Sequence, residues 1–273
     1  MAAEEDTMVT IKPALEQWKT TAQAGELDFH INRKMQPNET LEELNQSLFE
    51  GFGFTADQLA GNTVVDVGAG SHLRTKFFKN ARIVAVEPLA DSYMNGIDWC
   101  ELADADVVHA VAAEAKIEDL VGEAELVTCI NVLDHTYDPG AILDNIHAYL
   151  STSGRFLLSV DLHGETSDGM HPVELTLPNL VELAEAHGFV VERGYMYLPY
   201  QRSYGHGDAV TLILRRRDVD EPTGQPVRFE RLRSPLQLIW EAVRQRSHSI
   251  CRRVKRVFTG ESRTVKRFLR KAA

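Results

Sequence analysis

The sequence predicts an α/β fold built on a mostly parallel sheet, and three observations carry that prediction. From residue 63, short β-branched or aliphatic runs alternate with helical or loop segments, at Thr63–Val67, Ile83–Val86, Val107–Val111, Leu126–Ile130 and Phe156–Val160. Strands spaced by helical segments imply right-handed crossovers between parallel neighbours. The first run leads through an acid, Asp66, into a turn with glycines two apart, Gly68-Ala69-Gly70. Two more runs, Phe189–Val191 and Ala209–Leu214, are joined by a loop and read as an antiparallel pair at one edge of the sheet.

The elements follow in order. Residues 1–60 read as helical, with Leu15 and Trp18, then Leu41, Leu44 and Leu48, at helical spacing among polar residues. Pro139 opens a helix over Gly140–Leu150, which carries Ile142, Leu143, Ile146 and Leu150 and is stopped by Ser153-Gly154. Another helix spans about Leu177 to His187, with Pro178 near its start and Gly188 as its stop. Residues 218–227 (DVDEPTGQPV) read as a linker. From Pro235 the apolar residues Leu236, Ile239, Trp240, Val243, Ile250, Val254 and Val257 fall on one helical stripe, and arginines occupy most of the rest. Three parts result: a helical N-terminal lid (1–60), a central domain (61–217), and a linker with a basic amphipathic tail (218–273).

Composition narrows the function. The net charge of -11 divides unevenly: residues 228–273 hold 14 Lys and Arg against 3 Asp and Glu, a net +11, and the remainder holds 15 against 37, a net −22. An acidic body is a poor general nucleic-acid binder, whereas the tail suits an anionic surface. No apolar run reaches the roughly 18 residues that span a bilayer. The acidic start MAAEEDTMVT does not read as a secretory signal, and three cysteines far apart (Cys100, Cys129, Cys251) fit a reducing cytosol.

Chemistry concentrates between Asp66 and Glu87. Glycines at the end of a buried strand let backbone approach a ligand and take positive φ. Glu87-Pro88 ends the second strand, 17 residues after Gly70, where an acid can accept hydrogen bonds from both hydroxyls of a ribose. These two features fit a nucleoside site. A nicotinamide enzyme needs G-x-G-x-x-G, and here Gly70 is followed by Ser71, His72 and Leu73, without the third glycine. An NAD(P)-dependent oxidoreductase therefore ranks second, and a binding protein that keeps the fold without catalysis is a further alternative.

Residues 62–161 resemble a class I, Rossmann-like S-adenosylmethionine-dependent methyltransferase of the small-molecule type. The resemblance rests on Val65-Asp66-Val67-Gly68-Ala69-Gly70, Ala85-Val86-Glu87-Pro88, Ala113-Glu114-Ala115, the stretch Leu126 to His135 with Asp138-Pro139, and Ser153-Gly154-Arg155-Phe156-Leu157-Leu158. It departs from the family at His72, where a third glycine would fall. The resemblance implies a seven-stranded sheet with helices on both faces, and S-adenosyl-L-methionine as cofactor. It implies that Asp66, Gly68 and Gly70 hold the methionine part, that Glu87, with Pro88 beside it, binds the ribose, and that Val111 to Glu114, including Ala113, border the adenine. Asn131 and Val132 would line the methionine and sulfonium.

Methyl transfer is an in-line displacement, so alignment and exclusion of water are the main demands. A base is needed where the acceptor is not already deprotonated. Histidine suits that task near neutral pH. His135, just past the fourth strand, and His163, after the fifth, are the candidates; His171 and His206 lie in loops. A structural or solvated role is the competing reading for each. Asp161, His163, His171 and His206 match no metal-ligand spacing, so no metal is expected. The segment Glu26-Leu27-Asp28-Phe29-His30-Ile31-Asn32-Arg33 would, as the resemblance implies, cap the acceptor pocket; a packed helix with Phe29 and Ile31 in the core is an equal reading. The expected activity is O-methylation of a small-molecule, glycan or lipid-linked acceptor by a cytoplasmic protein, with residues 235–273 touching an anionic membrane surface. A helix docked on the acidic body competes with that reading of the tail, and nucleic acid ranks below both.

Overall fold

A computed structural model describes residues 15–16, 18–32, 41–162, 171–173, 175–196, 209–218, 220–224, 227 and 229–231. A short π-helical turn, Trp18–Ala22, continues into α1 (Gln23–Asn32), and α2 follows (Leu41–Gly51). The sheet then begins: β1 (Thr63–Val67), β2 (Arg82–Val86), α3 (Ala90–Gly96), β3 (Val107–His109), β4 (Ala124–Ile130), α4 (Pro139–Tyr149), β5 (Leu150–Asp161), α5 (Leu177–Ala186), β6 (Phe189–Met196), β7 (Ala209–Arg216) and β8 (Phe229–Arg231).

The strands are ordered β3-β2-β1-β4-β5-β7-β6-β8. Strands β1 to β5 are parallel throughout, and β7 alone runs against its neighbours, between β5 and β6. The α/β, Rossmann-like, mostly parallel sheet is as expected. Two details differ: there are eight strands rather than seven, and the antiparallel β6/β7 pair is not the edge. The three-residue β8 lies outside β6 and parallel to it. Its sequence, Phe229-Glu230-Arg231, is short and charged, so it carries no strand signal; pairing with β6 creates it. Gly194 on β6 makes room, because a Cβ there would stand 2.6 Å from the Phe229 ring.

Side-chain alternation along the strands builds two cores. Val65 and Val67 of β1, with Val127 and Cys129 of β4, face one core together with Ile142 and Ile146 of α4 and Leu180 of α5. Val64, Ile83, Ala85 and Leu126 face the other, with Leu48 and Phe49 of α2 and Tyr93 of α3. Period-2 burial on both faces of the sheet is what a three-layer arrangement requires. Capping fixes the helices on the first face. The Asp138 side chain accepts from Ala141 N ahead of Pro139, and Thr176 with Asn179 forms a capping box ahead of Pro178. Where α/β units usually carry longer helices, this chain is spare: the connection after β1 is a four-residue 3-10 turn, Arg74–Phe77, and that before β4 is Glu118–Leu120.

Candidate active site

The carboxyl ends of β1, β2 and β4 border one cleft of about 590 Å³, measured out to its open mouth. Position at the switch point, where the strand order reverses about β1 and β4, is where open α/β sheets bind ligands. Gly68 and Gly70 form the floor with φ of 67° and 64°, a region costly for other residues. Gly68 N donates to Val86 O at 2.8 Å, and Gly70 N donates to Glu87 Oε2 at 2.9 Å. A Cβ on Gly68 would lie 2.3 Å from a methyl of Val132, so the glycine also sets the width of the cleft.

Glu87 ends β2 and is buried. Its second oxygen accepts from Leu89 N at 2.9 Å, so the carboxylate ties the glycine turn to the end of β2 while lining the cleft. Burial pushes its pKa up to about 7 against the lowering effect of the Leu89 and Gly70 N–H groups. Pro88, Ala113 and Glu114 also line the cleft. Thr136 Oγ1 and Tyr137 N donate to Glu114, whose pKa burial raises, and Asn145 Nδ2 holds the loop by donating to Ala113 O at 3.0 Å. Val111, expected at the same border, is exposed.

Asn131 and Val132 extend from β4 into the cleft wall. Asn131 takes φ of 59°, a left-handed conformation that asparagine tolerates, and its N–H donates to Ser159 O at 2.7 Å. Its Nδ2 lies 3.3 Å from Nε2 of His135, which also lines the cleft. Of the two candidate bases, His135 therefore stands at the site; His163 lies outside the described residues, as do His206 and the tail from 232.

Asp66 is placed otherwise than expected. It is buried behind the wall, where Thr75 Oγ1 and Thr128 Oγ1 donate to its two oxygens at 3.0 and 2.9 Å. Burial raises its pKa against these hydroxyls and Arg74. It holds the post-β1 turn to β4 instead of facing the cleft. The ring of His171 lies 4.5 Å from that of His135, and one ligand atom each from Asp134, His135 and His171 falls within 4.8 Å of the others. A histidine–carboxylate set at this spacing can hold a divalent cation. The grouping differs from Asp161, His163, His171 and His206: it joins His171 to His135 and to Asp134, which is fully buried.

Sequence reasoning underrated the N-terminal segment. Phe29 and Ile31 are exposed, so the packed-helix reading of that pair fails; the buried member is His30. Trp18, Gln23 and Glu26 line the cleft, and the Trp18 ring meets that of Tyr137 edge-on at 5.1 Å. The available signal was Glu26 and His30 at i, i+4, which puts both on one helix face.

The comparisons with known proteins agree with this architecture. A family model described as a methyltransferase domain matches residues 33–210, more than half of the chain. The chain belongs to this methyltransferase family. A ubiquinone biosynthesis O-methyltransferase of Pseudomonas paraeruginosa is 27% identical over 107 residues, covering 37% of this chain and 45% of that protein. One of Azotobacter vinelandii is 27% identical over 110 residues with the same coverage. The match thus spans a little under half the length of these curated relatives. A solved S-adenosylmethionine-dependent methyltransferase of Leishmania major superposes with a TM-score of 0.51 at 12% identity, covering 76% of this chain and 83% of that one, a likeness of fold. Membership of a methyltransferase family removes the ground for a nicotinamide enzyme.

Proposed function

We propose that this chain transfers a methyl group from S-adenosyl-L-methionine to a hydroxyl of a small polar acceptor, free or carried on a glycan or lipid. One observation carries the reading of the cleft: it presents three carboxylates, Glu26, Glu87 and Glu114, and no Lys or Arg among the described residues. A cationic ligand suits such a wall, whereas the pyrophosphate of a dinucleotide does not. The turn after β1 also leads into a 3-10 helix and not an α-helix, so no helix N-terminus is offered to a phosphate.

The donor supplies an electrophilic methyl on a positively charged sulfur. The residues of the chain bind and align it. Glu87 accepts from the ribose hydroxyls with the lone pairs that Gly70 and Leu89 leave free, and Gly68 and Gly70 let backbone close on the methionine part. Ala113 and Glu114 border the base. Trp18, braced by Tyr137, covers part of the cleft wall and so limits water there. His135 accepts the acceptor hydroxyl's proton as the new C–O bond forms and the methyl–sulfur bond breaks, with Asp134 Oδ2 at 3.7 Å to balance the charge gained. The likeness to ubiquinone O-methyltransferases supports oxygen as the acceptor atom.

Isothermal titration with the two rival ligands tests the reading. S-adenosylmethionine should bind and NAD should not; NAD binding without S-adenosylmethionine binding would overturn it.

A further inference from the structure

The N-terminal helix brings a charge to the cleft that none of the family's motifs supplies. α1 is keyed into the glycine turn by His30, which is buried. Its Nδ1 lies 2.6 Å from Ser71 Oγ, its ring packs at 4.8 Å on Tyr93, and its Cε1 comes within 3.2 Å of where a Cβ on Gly70 would stand. One turn earlier, Glu26 Oε1 lies 3.0 Å from His30 Nε2. That contact fixes a side chain that is one-third exposed and faces the cleft. Ser71 therefore aims His30, and His30 aims Glu26.

The position of Glu26 along the cleft is marked by its neighbours. It lies within electrostatic reach of Glu87 at one end and of His135 at the other. In the reading proposed above Glu87 takes the ribose and His135 the methyl-accepting end, so the sulfur that joins ribose to methionine would lie between two groups that share the cleft with Glu26 and are both within its electrostatic reach. Among the described residues no lysine or arginine lines the cleft to neutralise it. Its ionisation is also favoured. Burial alone would raise its pKa, but the His30 hydrogen bond and the neighbouring His135 and His30 rings outweigh burial and hold it below the usual carboxylate value. Glu26 is thus the standing negative charge, unlike Glu87.

We propose that Glu26 is the counter-ion of the donor's sulfonium, held in place by the Ser71–His30 relay, and that it makes the site discriminate the charged donor from its uncharged thioether product. This rests on the methyltransferase reading and adds to it a residue and a selectivity. The cofactor and its product, S-adenosylhomocysteine, share every other group and differ only in the methyl and the positive charge, so their two affinities isolate the role.

The test is isothermal titration of the full chain with each of the two ligands, for the native protein, Glu26→Gln and Glu26→Asp. Glu26→Gln should weaken S-adenosylmethionine binding about tenfold, the scale of one partly screened charge pair, and leave S-adenosylhomocysteine within twofold. Glu26→Asp, which keeps the charge, should retain most of the native ratio. Equal weakening of both ligands in Glu26→Gln, or no change in either, overturns the proposal, as does an Asp variant that behaves like Gln. Thermal melts check that each variant folds, and Glu26→Ala replaces a Gln variant that does not; loss of fold in both assigns Glu26 to the framework and also overturns it. A native protein that binds neither ligand refutes the methyltransferase reading instead.

Discussion

Glu87 has two demands on one carboxylate: it accepts from Gly70 and Leu89, and it must also meet a ribose. Its pKa near 7 gives that conflict a measurable sign. The folded value lies above the ordinary 4.5, so the protonated form stabilises the ligand-free protein. That stability is complete below about pH 4.5 and is lost as the pH rises through about 7, up to about 3 kcal/mol from this group. Ribose hydroxyls donate to the ionised form, so donor affinity should rise with pH and level off above about 7. Titrations from pH 5.5 to 8.5 check this; in Glu87→Gln the slope should vanish and binding at pH 8 should fall roughly tenfold or more. A native profile flat over that range removes Glu87 from the ribose. At His135 the expectation is different in kind. His135→Ala should lower kcat by about 10² to 10⁴ while donor affinity stays within a few-fold. An equal loss of donor affinity would make it a wall residue. That Glu87 lines the cleft was legible because an acid closing a second strand lies at the carboxyl edge of the sheet. Asp66 was misplaced because sequence order cannot say which face of a strand end looks into a cleft; the hydroxyls of Thr75 and Thr128, nine and 62 residues away, decide it.

At the scale of elements, the glycine turn is the piece whose geometry the sequence announced most directly. Gly68 has both a positive φ and a neighbour, Val132, that a single methyl would strike. Gly68→Ala should therefore destabilise the protein by roughly 1–3 kcal/mol and weaken the donor site. Adding Val132→Ala should return the steric part and leave the φ strain. Thermal melts of the two single variants and the double variant measure this; strict additivity would show that the two side chains never meet. Strand positions were readable because β1, β2, β4 and β5 are buried on both faces and read as aliphatic runs. The connections were less so: a 3-10 turn such as Arg74–Phe77 has no periodicity to detect. β5 is longer than its apolar run. It starts at Leu150, directly after α4, because Gly154 lets the strand pass close to Ala124 O, where a Cβ would stand at 2.6 Å. The N-terminal helix was ambiguous because its one buried side chain, His30, is polar, and hydrophobic pattern is blind to a helix anchored by a hydrogen bond.

For the whole molecule the question is what its two parts of opposite charge, a long acidic one and a short basic one, are for. Residues 233–273 hold 12 Lys and Arg against 2 Asp and Glu, a net +10, and the preceding 232 residues hold 17 against 38, a net −21. The boundary matters for any truncation, because β8 at Phe229–Arg231 pairs with β6. Cutting at 227 would strip that strand and leave β6 as an open edge prone to pairing with other chains. A chain ending at residue 232 keeps β8 and removes only the basic segment. We expect the full chain to float with vesicles containing phosphatidylglycerol and the chain ending at 232 to stay behind, since each Lys or Arg near an anionic surface contributes about 1 kcal/mol. Raising the salt to about 0.5 M should release the full chain, because screening shortens the reach of these charges to well under 10 Å. Equal flotation of both chains would place any membrane contact on the acidic body, and flotation of neither would leave the basic segment to serve something other than a lipid surface. Donor affinity should be the same in both chains, because every residue assigned to the cleft precedes residue 143.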